Sequence, residues 1–490
     1  MPATSHPGPQ VMPWVIHPFA DLKLGIWVPG YSDPQQPFII KWSDDPRLCQ
    51  IFWSLFQASE PAEEQPLLHA TDIALLRHMG LLLPFEKLSL RGILASATDE
   101  STALQTYQPP PESKQNWLSF NFQARLQVEV DVPLRHQHVR AQLFDWERQP
   151  DICRLLWRFF TATHKHFSVQ EARILQQLGL LCAPDKVPQA VSYTPRLQAD
   201  DPLYPYAARV QPLAESLQLN PSWGWQEGPD LPEAVQLPFV SDRIQMQPPL
   251  LWLKDPRNHI WTPFQVPAEH KERLQALLEG KLPLTDLTEA ERRTWQDAGL
   301  LLTASRPDRQ TLQKQLAATD FCVIPGLLNP LQIAAARHYL RSIHQEGYLL
   351  NGDPFVSNRF GMHNEPMCRF LHQQFYPVIS EITQTPLKAS YCYFALYHSG
   401  ARLPRHTDRE QCAWNVSLVL DTDPEQTRAQ AWPIYLELPQ GIEAVRLEMG
   451  DAIVYRGSRY PHWRNPLPSG SRVSVCFFHF VDADFDGLLF

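Results

Sequence analysis

The first three hundred residues carry one apolar pattern three times. Phe38-Ile39-Ile40-Lys41-Trp42 is followed by the polar turn Ser43-Asp44-Asp45 and by Pro46; Gln142-Leu143-Phe144-Asp145-Trp146 is followed by Glu147-Arg148-Gln149 and by Pro150. A short apolar run closing on tryptophan predicts a strand, and a proline straight after a polar turn predicts the first turn of a helix. The helices carry apolar residues at core spacing: Ile51, Phe52, Leu55 and Phe56 in the first copy, Leu155, Leu156, Phe159 and Phe160 in the second. A further helix in each copy runs to Gly80-Leu81-Leu82 and Gly179-Leu180-Leu181, where glycine suits a left-handed helix stop. His259 to Pro267, with Leu274, Leu277 and Leu278, opens a third copy. There Thr288-Glu289-Ala290-Glu291 reads as a capping box, and the helix ends at Gly299-Leu300-Leu301.

Repeats this widely spaced are domain-sized and do not form a solenoid. The expected organisation is three small α+β modules of winged-helix shape, over residues 1–115, 116–235 and 236–305. Connections rich in proline, glutamine and tyrosine join them at Thr106–Asn116 and Asp185–Pro249. Proline stiffens such segments and keeps them out of regular helix.

From residue 306 onward the pattern changes to short strands. Asp320 to Gly326 predicts a strand, Pro330 to Glu346 a long helix, and Asn351 to Pro366 a loop carrying Arg359, Met362, His363 and Asn364. Ser390–Tyr397, Trp414–Leu420, Ala452–Tyr455 and Arg472–Val481 are β-type apolar runs, with turn signals at Gly400 and Gly450-Asp451. Many short strands with turns between them predict a barrel or a double-sheet roll.

The candidate chemistry lies inside this region. His406 and Asp408 stand at i and i+2, so an extended strand points both side chains to one face. His462 follows from a distant strand. Two imidazoles and one carboxylate form the facial ligand set of a non-haem iron(II) site, which leaves metal positions open. Arg472 and Ser474 share a strand face in the same way and offer a guanidinium and a hydroxyl suited to a carboxylate. A lone His-x-Asp means little in a chain with 18 histidines; the ordered set carries the reading. His398 and His479 read as satisfied or solvent-facing histidines, and Arg405, Arg409 and Arg464 as ordinary surface or ion-pair arginines. Trp414, Trp432 and Trp463 lie close enough in sequence to help exclude water.

Three stretches carry a family resemblance: Tyr397-His398-Ser399-Gly400 leading to Arg405-His406-Thr407-Asp408, Gly450-Asp451-Ala452 leading to His462-Trp463-Arg464, and Arg472-Val473-Ser474. With them the last third of the chain resembles the Fe(II)/2-oxoglutarate-dependent oxygenases, specifically the prolyl-4-hydroxylase-like branch of the double-stranded β-helix (jelly-roll) superfamily. The resemblance implies a jelly-roll catalytic domain over 306–490 with His406, Asp408 and His462 holding iron. It implies Arg472 on the far carboxylate of 2-oxoglutarate, helped by Ser474 and Tyr397, with O2 as co-substrate and ascorbate as a candidate reductant. Many members carry lysine where Arg472 stands. Related halogenases replace the carboxylate ligand with a small residue, so Asp408 points to hydroxylation or desaturation.

Composition narrows the partners. The 490 residues exceed what one core supports, and 44% apolar content supplies several. A net charge of −9 without a basic block argues against nucleic acid and anionic membranes. Eight cysteines without a Cys-x-x-Cys spacing indicate neither a disulfide framework nor a zinc knuckle. No charged-then-apolar leader and no apolar run near membrane-spanning length is present, so a cytoplasmic protein is expected. The expected activity is hydroxylation of a peptide or protein side chain, with the repeats either bracing the enzyme or clamping an extended peptide. The alternatives are the same chemistry on a free amino acid or secondary metabolite, and an inactive binding scaffold.

Overall fold

Each copy of the apolar pattern folds as strands, two helices and a short closing strand. The computed structural model describes residues 15–17, 19–33, 36–57, 68–84, 118–121, 123–132, 140–161, 167–182, 193, 195–214, 216–226, 249–255, 260–302, 309–352, 355–487 and 489. The connection Thr106–Asn116 and much of Asp185–Pro249 lie outside them. The first copy comprises β1 (Val15–Ile16), β2 (Asp21–Trp27), β3 (Phe38–Lys41), α1 (Pro46–Phe56), α2 (Ala70–His78) and β4 (Leu82–Pro84). The second comprises β5 (Leu118–Phe120), β6 (Arg125–Val132), β7 (Arg140–Asp145), α3 (Pro150–Thr161), α4 (Val169–Gln177) and β8 (Leu181–Cys182). After α5 (Tyr206–Val210), the third comprises β9 (Gln218–Leu219), β10 (Trp223–Gln226), β11 (Leu250–Lys254), β12 (Trp261–Gln265), α6 (Ala268–Leu278), α7 (Glu289–Asp297) and β13 (Leu301–Leu302).

Local chemistry accounts for these ends. The Asp45 carboxylate accepts from Leu48 N–H at 2.8 Å and caps α1, whose first residue is Pro46. Ser168 with Glu171 and Thr288 with Glu291 form capping boxes on α4 and α7. Gly80, Gly179 and Gly299 end the second helices at φ of 72°, 80° and 81°, a conformation that costs other residues strain.

Pairing between copies differs where the local pattern does not. β2 pairs with β6 at the centre of one sheet, ordered β3-β2-β6-β7. The closing strand β4 pairs with β5 of the second copy, and β8 pairs with β1 of the first. Copies one and two thus exchange strands and share one apolar core, so the boundary near residue 115 runs between two halves of a single core. The third copy closes on itself: β13 pairs with its own β9, and β10 takes the edge of β11. Asn121 and Asn220 latch the equivalent corners, each donating its backbone N–H and side-chain amide to the end of a glycine turn: Asn121 to Leu81 and Gly80 earlier in the chain, Asn220 to Leu300 and Gly299 later in it.

The last third contains α8 (Arg309–Thr319), β14 (Phe321–Ile324), α9 (Pro330–Gln345), β15 (Leu350–Asn351), β16 (Arg359–His363), α10 (Pro366–Thr383) and β17 (Leu387–Tyr397). It continues with β18 (Leu403–His406), β19 (Trp414–Asp423), β20 (Ile434–Leu438), β21 (Gly441–Val445), β22 (Ala452–Tyr455), β23 (His462–Arg464) and β24 (Arg472–Asp482). Seven strands form one antiparallel sheet, β14-β22-β19-β24-β17-β16-β15, and four form another, β18-β23-β20-β21. The stretch expected as a loop before the core strands includes β16, paired with β17 along its length. Gly361 at its centre hid that strand in the sequence; a Cβ there would collide with the Tyr393 hydroxyl and lie 2.9 Å from the Phe394 carbonyl oxygen.

The larger sheet has two different faces. Cys392, Phe394, Leu396, Cys476, Phe478 and Phe480 pack on one core with α9 and α10. Ala395, Tyr397, Val473 and Val475, one residue out of phase, pack instead with Leu403, Trp432 and Leu467 toward the smaller sheet. The candidate site lies between the two sheets. The front of the chain is tied into this region: Phe19 packs on Tyr348 with ring centres 4.7 Å apart, and Leu331 and Ala334 of α9 complete the core of the third copy. The whole is a mixed helix-and-sheet protein. Among the described residues no disulfide forms, and no helix is long and apolar enough to cross a membrane.

Candidate active site

β18 and β23 are neighbours in the smaller sheet, and their register sets His406 directly opposite His462. The two imidazole centres lie 4.4 Å apart. Asp408, just past β18, is held by its N–H donating to Gly457 O at 3.0 Å. Its carboxylate oxygens lie 3.3 Å from His406 Nε2 and 3.5 Å from His462 Nε2. The three ligand atoms fall within 4.8 Å of one another.

The orientation of each ring is set by its own strand. His406 Nδ1 lies 2.8 Å from Pro404 O and His462 Nδ1 lies 3.1 Å from Tyr460 O. A carbonyl can only accept, so Nδ1 carries the proton and Nε2 presents its lone pair to the common point. Asn415 of β19 donates its amide to Asp408 Oδ2, and His479 of β24, directly opposite Asn415, donates Nδ1–H to the Asn415 side-chain oxygen. Gly457 is compulsory here: a Cβ would run into both Asp408 Oδ2 and the Asn415 amide.

Charge states agree with this geometry. Burial pushes the Asp408 carboxyl up, but the His406 contact and the neighbouring imidazoles outweigh it and bring it down to about 2. Burial holds His462 below the ordinary histidine value against the pull of Asp408, and burial takes His479 down to about 4. His406 moves the other way: burial lowers it, but the Asp408 contact and the Pro404 carbonyl outweigh burial and raise it above the ordinary histidine value, so a cation entering here would displace a proton shared with the ionised Asp408. A second group, Asp408, Cys412 and His479, also comes within 4.8 Å. Burial pushes the Cys412 thiol up to about 12 and the His479 ring is committed to Asn415, so this group lacks a thiolate and a free imidazole.

The remaining expected site residues divide between the two faces of the larger sheet. Tyr397 is fully buried on the inner face, its hydroxyl accepting from Arg359 Nη1 at 3.2 Å and its ring 5.1 Å from that of Trp432. Arg472 and Ser474 stand on the outer face, in register with Asp423 and Leu396. Arg472 is half exposed and ion-paired with Asp423, and with Ser474 it lines a cleft beside Arg341 and His344 of α9. The structure therefore brings His406, Asp408 and His462 together, sets Tyr397 on the inner face of the larger sheet and leaves Arg472 and Ser474 behind that sheet. Of the three tryptophans, Trp432 reaches the inner space; Trp414 belongs to the helix-side core, and Trp463 stacks on Tyr435 with the planes 10° apart.

Sequence reasoning passed over Asn415 and Tyr455, and gave His479 and Arg464 only ordinary roles. Arg464 had a readable signal, because it stands two residues after His462 on the same short strand. The others come from β19, β22 and β24, and only pairing brings them near. One further contact links the site to the first repeat. His363 Nδ1 lies 3.4 Å from Asp44 Oδ1, the His363 ring stacks on Tyr391 at 4.8 Å, and Tyr391 lies 4.5 Å from the His479 ring.

No family model matches the chain, and no curated protein matches it. Among solved structures it is similar to a Pseudomonas putida prolyl-4-hydroxylase, with 18% identity and a TM-score of 0.31, covering 36% of this chain and 100% of that one. It is similar to a Trichoplax adhaerens prolyl hydroxylase in complex with a hypoxia-inducible-factor peptide fragment, with 15% identity and a TM-score of 0.31, covering 35% of this chain and 88% of that one. HygX from Streptomyces hygroscopicus with nickel and 2-oxoglutarate bound shares 12% identity at a TM-score of 0.30, covering 37% of this chain and 89% of that one.

Proposed function

We propose that this chain is an iron(II)- and 2-oxoglutarate-dependent oxygenase that hydroxylates a C–H bond of a peptide or protein side chain. The observation that carries the reading is the convergence of His406 Nε2, His462 Nε2 and the Asp408 carboxylate, with both Nδ1 atoms already committed to backbone carbonyls. This donor set, two neutral nitrogens and one anionic oxygen, fits iron(II) and leaves room on the metal for a chelating 2-oxo acid and for O2. The two facing sheets are read as the halves of a double-stranded β-helix.

Iron bound here would supply an oxidant strong enough to take hydrogen from an unactivated C–H bond. In the balanced reaction one oxygen atom of O2 enters that bond as hydroxyl, the other enters succinate, and the first carboxylate of 2-oxoglutarate leaves as CO2. The chain's own residues prepare this. His406 and His462 hold their lone pairs at one point, Asp408 stays anionic, and Asn415 fixes the rotation of that carboxylate. The apolar residues between the sheets, with Trp432 and Tyr455, keep bulk water away. A peptide substrate is favoured by the position of the first repeat, whose Asp44 touches the residues His363 and Asn364 at the end of β16.

The test is an anaerobic titration of the full-length protein with iron(II) and then 2-oxoglutarate, in wild type and in His406→Ala. A weak visible charge-transfer band is expected in wild type and absent in the variant. Admitting O2 should bleach it and release succinate, faster with peptides than with free amino acids. Folded wild-type protein that shows no band sinks the proposal.

A further inference from the structure

We infer that Arg464, and not Arg472, binds the far carboxylate of 2-oxoglutarate; this rests on the reading of the site given above. β23 alternates in burial: His462 and Arg464 are buried and Trp463 between them turns outward. The guanidinium therefore enters the same space as the ligand ring. In register, Arg464 pairs with Leu403, which packs against the inner face of the larger sheet.

Among the described residues Arg464 has no counter-charge. The residue is 2% exposed. Its Nη1 donates to Trp432 O at 2.9 Å, and its guanidinium carbon lies 4.9 Å from the centre of the Trp432 ring. Nε and Nη2 are buried with no hydrogen-bond partner among the described residues. A buried guanidinium with two unsatisfied nitrogens is costly unless an anion pairs with it. Its fork of N–H groups matches a carboxylate through two parallel bonds.

Reach agrees with charge. Same-face neighbours on a strand stand about 6.6 Å apart. That suits a five-carbon diacid that chelates a metal at its 2-oxo end beside His462 and extends its far carboxylate along β23. Arg472 offers none of this: it lies on the opposite face of β24, half exposed and already paired with Asp423.

The experiment loads the full chain anaerobically with iron(II) and titrates it with 2-oxoglutarate and with 2-oxobutyrate, which keeps the chelating end and lacks the far carboxylate. The visible band of the chelate reports binding. Wild type should prefer 2-oxoglutarate by about 10- to 100-fold, the range for a charge-assisted hydrogen-bonded pair. Arg464→Met should bind the two acids alike, Arg464→Lys should regain part of the preference, and Arg472→Gln should keep all of it. Loss of the preference in Arg472→Gln, or its survival in Arg464→Met, overturns the inference. Arg472 is half exposed, so that arm decides even if Arg464→Met does not fold. Cobalt(II) absorbance without any oxo acid separates the two readings. If cobalt binds and Arg464→Met still discriminates, only this inference fails; if cobalt does not bind, the iron-site reading fails and this inference falls with it.

Discussion

Asn364 donates its side-chain amide to the carboxylate of Asp44, a residue 320 positions earlier in the chain. Both are buried, and Arg369 adds a guanidinium bond to the Asp44 carbonyl oxygen. The polar turn that opens the first repeat's helix is thus locked onto the end of β16. From there His363 and Tyr391 lead to His479 and Asn415, and so to the Asp408 carboxylate. The repeats and the candidate site are joined through packed side chains.

Asp44→Ala should therefore loosen the front of the protein from the back. It removes the acceptor of a buried amide, a loss worth about 1–3 kcal/mol. Asp44 touches none of the metal ligands, so cobalt(II) affinity should hold while the thermal midpoint falls by several degrees. An unchanged midpoint in a melting experiment would show that the contact does not hold the two parts together.

Asn415→Ala tests how far the carboxylate ligand depends on its support. The ligand atoms remain, but Asp408 loses the donor that fixes its rotation, and metal affinity should drop by about 10- to 100-fold. Competition between the protein and a chelator of known affinity for cobalt(II) measures this. Equal affinity in variant and wild type would mean that the backbone alone orients Asp408.

Gly457→Ala should be more damaging than Asn415→Ala, although it adds only a methyl group. The new carbon would displace both the Asp408 carboxylate and the Asn415 amide. Far-ultraviolet circular dichroism should stay as in wild type while cobalt(II) binding is lost. Retained binding would show that the turn after β22 can move aside.

Glu291 predicts a pH dependence in the third repeat. Its carboxyl is brought down to about 2, chiefly by the Arg273 guanidinium and against burial, with help from the Thr288 N–H and hydroxyl. The folded value lies below the unfolded one. Its stabilisation is therefore fully present above an unfolded pKa of about 4.3 and is lost as pH falls toward 2. Glu291→Gln should cost on the order of 2 kcal/mol at pH 7 and roughly half of that at pH 3. Thermal melts of both proteins at the two pH values check it; a gap that does not shrink in acid contradicts the assignment.

Some of this protein is written in short-range pattern. The strand–helix–helix copies and their proline starts and glycine stops depend on residues a few positions apart, where backbone geometry sets the outcome. The parity of Arg464 with His462 was equally local, yet its importance was invisible, because a guanidinium becomes significant only when burial removes its partners. Other features belong to tertiary structure alone. The first two copies exchange closing strands and the third closes on itself, although all three share one apolar rhythm. Spacing along β24 shows that Arg472 and Ser474 share a face, but not which face. That is decided by pairing with β17 and β19, by the bulge between Val419 and Asp421, and by which side the helices α9 and α10 cover. Sequence parity is relative within one strand, whereas the inside of a two-sheet structure is defined only when strands from distant parts of the chain are in register.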